Sequence, residues 1–187
     1  MSQLVSPRAF LGETLQPAKW RDRAHADLFY AFSSLTPVFM GWGMHLCEKR
    51  LSFTCPLFPW SAMKFTLLAQ GILSYQGDVA TFGESSWWKA ADVWLATFHT
   101  AIYLLFAGFP FMGIATWPWT VCASQLAAGL VALHCKRMGV RALRQDAEDA
   151  FFWYHAMWHY VIFAGAATSL FLIYNFIFFI TIDLINM

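Results

Sequence analysis

Charge is what this sequence has least of. Its 187 residues carry 11 acidic and 12 basic side chains, 12% of the total, against 59% apolar residues. So few charges cannot cover a soluble globule of this size, which excludes an ordinary water-soluble domain and points to a membrane protein. The net charge of +1 supplies no basic footprint, so nucleic acid is not expected as a partner. There is no internal repeat and no low-complexity tract. Residues 1–24 have no apolar run ahead of a small-residue cleavage site, so they read as a polar extramembrane arm rather than a signal peptide. Glu13 and Asp22 speak against a basic targeting sequence in the same arm. Cysteine is also sparse, with four in the chain. Cys122 and Cys135 lie in or beside apolar runs, and Cys47 and Cys55 share a loop where they pair only if that side is oxidising. All four read most simply as small apolar residues.

What the chain does have is apolar length. Runs near 27–47, 63–82, 89–109, 112–134 and 150–182 are each close to the roughly 20 residues a helix needs to cross a bilayer. The expected fold is all-α, a polytopic transmembrane bundle occupying 25–187 with five spans. Six spans arise if the last run holds two helices, and Pro118 interrupts the run before it. With five spans, Arg8, Lys19, Arg21, Arg23, Lys89, Lys136, Arg137, Arg141 and Arg144 share the N-terminal side, and Lys49, Arg50 and Lys64 occupy the other. That asymmetry places the N-terminus on the cytoplasmic, matrix or stromal side. Trp87, Trp88, Trp117 and Trp119 fall at span ends, where indoles form the interfacial belt, and Phe176–Phe179 reads as lipid-facing filler.

Polar side chains inside such runs are costly and usually face a cavity or a partner. The last run contains His155-Ala156-Met157-Trp158-His159, which puts two imidazoles one turn apart on one helix face, as a helix does when it offers two ligands to one metal. In the second run Ser74 and Asp78 repeat that spacing, and in the third Asp92 and His99 are seven apart on one face. Topology brings them together, because the second run ends, and the third and last begin, on the same side. Asp78, Asp92 and His155 then lie at a similar shallow depth, with Ser74, His99 and His159 about 5 Å deeper. His45 is at the opposite side, and His134, beside Cys135 and Lys136, is a boundary residue. Plainer roles exist for each: a membrane histidine often only hydrogen-bonds a neighbouring helix, and an aspartate near an interface often caps a helix or faces headgroups.

With these residues placed, the chain resembles the CREST superfamily of membrane hydrolases, which includes the alkaline ceramidases and is related to the progestin/adiponectin receptors. The resemblance rests on His155 and His159 as the terminal H-x-x-x-H, on Ser74 as the serine of the second motif, and on Asp92 as the aspartate. It runs in patches from about Gln70 to Gly165. It implies a zinc ion held by three histidines with an aspartate nearby, cleaving an amide in a lipid. Zinc with three protein ligands lowers the pKa of bound water to about 7, which suits that reaction. Where the family has S-x-x-x-H, this chain has Ser74 and Asp78, and no histidine lies between His45 and His99. Asp78 completes a ligand set with His155 and His159, or His99 supplies the third imidazole from a position the family does not use. The chain also has fewer spans than the seven usual in the family.

These observations rank three functions. The first is an integral membrane protein with a degenerate CREST-like core, working by packing against lipids and other membrane subunits as a non-catalytic accessory subunit of a larger complex. The second is a zinc-dependent lipid amide hydrolase in which Asp78, His155 and His159 hold the metal, Asp92 acts as base or orienter and Ser74 stabilises the oxyanion. The third is a haem or chlorophyll carrier with His99 or the 155/159 pair as axial ligands.

Overall fold

A computed structural model describes residues 16–185, with side chains described through Phe176. Arg8 and Glu13 of the arm, and the side chains at 177–179, lie outside the described residues. Every regular element among the described residues is helical. After a single 3-10 turn at Ala18–Trp20 come α1 (Arg21–Ala26), α2 (Leu28–Ser34), α3 (Thr36–Thr54), α4 (Trp60–Tyr75), α5 (Trp87–Phe106), α6 (Trp119–Arg144) and α7 (Glu148–Ile185). A five-residue π-helical turn, Gln76–Ala80, extends α4.

Local chemistry sets most of the boundaries. The Asp27 carboxylate accepts from Tyr30 N at 3.0 Å and starts α2, and the Ser86 hydroxyl accepts from Lys89 N at 3.3 Å and starts α5. Both satisfy amides that a helix N-terminus leaves without partners. Pro59 and Pro118 precede α4 and α6, where a missing amide hydrogen is harmless. The fourth apolar run is therefore helical only from Trp119, and that helix continues to Arg144, well past the expected end at 134. Asp146, with φ of 55°, turns the chain sharply into α7.

The last run is one helix of 38 residues, about 57 Å long at 1.5 Å per residue. By length and composition its Glu148–Phe176 part, with mean hydropathy 1.6, can cross a membrane, and no other described helix passes the same test. α7 packs along α6 and also against α2 and α3, while α4 packs on α3 and α5. Gly71 permits the α3–α4 approach: a Cβ there would lie 2.4 Å from Val38 Cγ2.

Two aromatic clusters fill the ends of this arrangement. At one end Trp60, Phe106, Phe109 and Trp117 pack with Leu51 and Val121. Trp117 is no interfacial residue: it is buried, and its indole donates to Thr54 Oγ1 at 2.8 Å, because the 107–118 loop folds back over the helix ends. Trp87 and Trp119 are exposed as expected. At the other end Trp20, Tyr30, Phe82, Phe151 and Phe152 close round the start of α7. All four cysteines are free thiols, so Cys47 and Cys55 form no bridge.

Candidate metal centre

The polar cluster sits where α4's π-turn, the start of α5 and the second and third turns of α7 meet. In the π-turn Thr81 N and Thr81 Oγ1 both bond Gln76 O, at 2.9 and 2.8 Å. Such turns re-aim side chains, and they recur at functional sites. From outside, His25 Nε2 meets Val79 O and Arg21 Nε donates to Phe82 O, each at 3.0 Å, so α1 braces the turn. Gly77 lets α5 come close: a Cβ there would lie 3.0 Å from Lys89 Cα. That approach delivers Lys89 to Asp78.

Asp78 is the hub, with its side chain 1% exposed. Its Oδ1 takes the Lys89 ammonium. Its Oδ2 accepts from Ser74 Oγ at 3.1 Å, so the i, i+4 spacing does bring these two together. The same Oδ2 lies 3.1 Å from His155 Nε2 and 3.6 Å from His159 Nε2, and the two Nε2 atoms are 3.3 Å apart. The rings of Tyr30 and Phe151 pack on His155 at centroid distances of 5.3 and 5.4 Å, holding it in place.

Three potential ligand atoms thus form a nearly equilateral triangle with sides of 3.1, 3.3 and 3.6 Å. Zinc bonds of about 2.0–2.1 Å in tetrahedral geometry give ligand separations of about 3.3–3.4 Å, so the triangle has the size of one tetrahedral face. Hydrogen bonding alone serves this group poorly. A neutral imidazole nitrogen is either donor or acceptor, and if His155 Nε2–H points at Asp78, His159 Nε2 must share that hydrogen or aim its own across 3.6 Å. A small cation facing all three lone pairs would satisfy every one of them. Lys89 on the outer oxygen and Ser74 on the inner one are partners of the kind that orient a ligating carboxylate. The residues present therefore fit a divalent metal.

No family model, curated protein or solved structure matches this chain.

The remaining candidates lie beside the triangle rather than in it. Asp92 is buried and its Oδ1 accepts from Gln70 Nε2 at 2.5 Å, with a second, longer bond from the same nitrogen to Asp92 O at 3.3 Å. His99 Nε2 is 3.0 Å from Thr66 Oγ1, on the side of α5 facing α4. It lines the same cavity as His159, but its ring nitrogen is turned to Thr66 and not to the triangle. His45 lies with Lys64 and Glu48. Lys89, Gln70 and Tyr30 are the site residues that spacing did not single out. For Lys89 a signal existed: it stands at the start of the third apolar run, at the depth expected for Asp78.

Proposed function

We propose that this chain is a multi-pass membrane protein of CREST type that holds zinc at Asp78, His155 and His159 and hydrolyses an amide in a lipid. The size of the Asp78–His155–His159 triangle is the observation that carries this. Five apolar runs that each contain helix support several crossings, and the excess of basic residues on one side supports an N-terminus facing the cytoplasm, matrix or stroma.

Asp78, His155 and His159 would hold the zinc, which would supply Lewis acidity and an activated water for hydrolysis near neutral pH. The chain's own residues do the rest. Lys89 neutralises the outer oxygen of Asp78, so the carboxylate presents Oδ2 alone to the two imidazoles. Ser74 spends its hydrogen on that same oxygen and acts as an orienter of the ligand, leaving no donor free for an oxyanion in this arrangement. Asp92, buried and held by the Gln70 amide, would be the proton acceptor, and it would have to turn from that amide toward the triangle.

A second function is favoured by a specific observation: Lys89 balances the charge of Asp78 and the Gln70 amide hydrogen-bonds Asp92, so both carboxylates have partners within the chain itself. That supports a non-catalytic core, packing as an accessory subunit among other membrane proteins. Metal analysis of the purified protein, combined with release of fatty acid from a lipid amide, separates the two. One equivalent of zinc and chelator-sensitive hydrolysis, both lost in His155→Ala, are expected for the hydrolase. A metal-free, inactive protein that co-purifies with other membrane polypeptides would leave the accessory subunit.

A further inference from the structure

Beside the triangle, between α3, α4, α5, α6 and α7, runs a narrow cavity of about 100 Å³. Its lining extends along α7 from Trp158 to Ile173. Those 16 residues span about 23 Å of helix. A lining that long and that apolar suits an extended chain. Most of its wall is apolar, with Met40, Met44, Leu67 and Leu170 among the side chains that face it.

Four polar atoms interrupt that wall. Gln70 Oε1, His99 Nδ1, Tyr103 Oη and Gln125 Oε1 are buried with no hydrogen-bond partner, and all four residues line the cavity. Their chemistry is fixed by what their other ends do. Gln70 commits its amide nitrogen to Asp92, which leaves the oxygen as the unmet end. Thr66 donates its hydroxyl hydrogen to Met63 O at 2.9 Å, so it accepts from His99 Nε2–H, and His99 Nδ1 is left as a bare acceptor. The cavity therefore offers at least two acceptors and a phenol, with His99 and Tyr103 on one helix face, i and i+4.

A plain alkyl chain would match the apolar wall and leave every one of these atoms unmet. A file of water would meet them, yet each water needs two to four polar partners and most of this wall provides none. We propose that the cavity binds the chain of a lipid carrying a hydroxyl group part-way along its length, with the hydroxyl donating to His99 Nδ1 or one of the glutamine oxygens. This goes beyond the hydrolase and needs no metal, so it stands whether or not the triangle holds zinc.

Binding of methyl ricinoleate and methyl oleate, which differ by one mid-chain hydroxyl, to the purified protein in lipid nanodiscs with chelator present tests it. The hydroxylated ester is expected to bind about tenfold tighter, the discrimination of one good hydrogen bond. In His99→Phe, and independently in Gln125→Leu, that ratio should fall toward one while methyl oleate binding stays within about twofold. Melting curves confirm that each variant is folded, and either variant alone suffices. Equal affinity of the wild-type protein for the two esters would overturn the proposal and leave the four atoms to water. So would a ratio unchanged in both variants. Zinc content, measured on the same samples, scores the metal centre separately.

Discussion

Removing the Lys89 ammonium is the perturbation that bears most directly on the centre. Lys89 and Asp78 have side chains 14% and 1% exposed, so their pair is largely out of water. Breaking a buried pair by deleting one partner typically costs about 3–5 kcal/mol, because the remaining charge has nothing to balance it. In Lys89→Met the Asp78 carboxylate keeps Ser74 and the His155 imidazole, each 3.1 Å away. The lower end of that range, about 3 kcal/mol, is therefore expected for the metal-free protein. Zinc should reverse much of this loss, since the cation then supplies the countercharge that lysine supplied. A metal present at a hundredfold excess over its dissociation constant stabilises by about 2.7 kcal/mol. The variant should gain more than the wild type, because zinc no longer shares the site with an ammonium, and a tenfold tighter affinity adds about 1.4 kcal/mol. By linkage, the extra stabilisation and the extra affinity are one quantity. Unfolding of the wild type, Lys89→Met and the Lys89→Met/Asp78→Asn double variant, each with chelator and with zinc, measures all of the terms. The double variant should recover most of the metal-free loss and respond weakly to zinc. Equal zinc-induced stabilisation of wild type and Lys89→Met would refute the reasoning, since the ammonium would then not sense an ion at Asp78.

Four further outcomes are expected. His159→Leu should leave metal-free stability within about 1 kcal/mol, since a residue of similar bulk replaces a weakly bonded imidazole, and should abolish the zinc-dependent shift; Asp92→Leu, which strands the Gln70 amide, should cost about 1–3 kcal/mol regardless of zinc. Gly71→Ala should cost about 1–3 kcal/mol by overpacking against Val38, and thermal melting should show most of it returned by adding Val38→Ala. Trypsin should reach Arg21 and Arg23 readily in Trp20→Ala, which loses an indole buried at 5.5 and 6.3 Å from Phe151 and Phe152, but not in Lys19→Ala, whose ion pair with Asp146 is exposed. Equal cleavage of both variants would mean that surface charge, and not the buried ring, holds the arm.

Periodicity and composition alone pointed to the helical class, because apolar runs of about 20 residues are too long for ordinary strands and a helix satisfies its backbone within the segment. Spacing on one helix is equally local: the i, i+4 relation that joins Ser74 to Asp78 and His155 to His159 follows from 3.6 residues per turn and needs no neighbour. Even the meeting of Asp78 with the two histidines was legible, since the order of the runs puts their ends on one side. What the neighbours decided lies between helices. The π-turn at Gln76–Ala80 and the close approach over Gly77 bring Lys89 rather than Asp92 to Asp78, and rotation of α5 about its axis is set by packing, which no spacing rule contains. The same rotation sends Asp92 to Gln70 and His99 to Thr66. Trp117 stands at the end of an apolar run in either view, but only the fold of the 107–118 loop decides that its indole is buried on Thr54 instead of lying at an interface. Local sequence specifies which residues share a face of a helix, and the packing of one helix on another determines which partner that face meets.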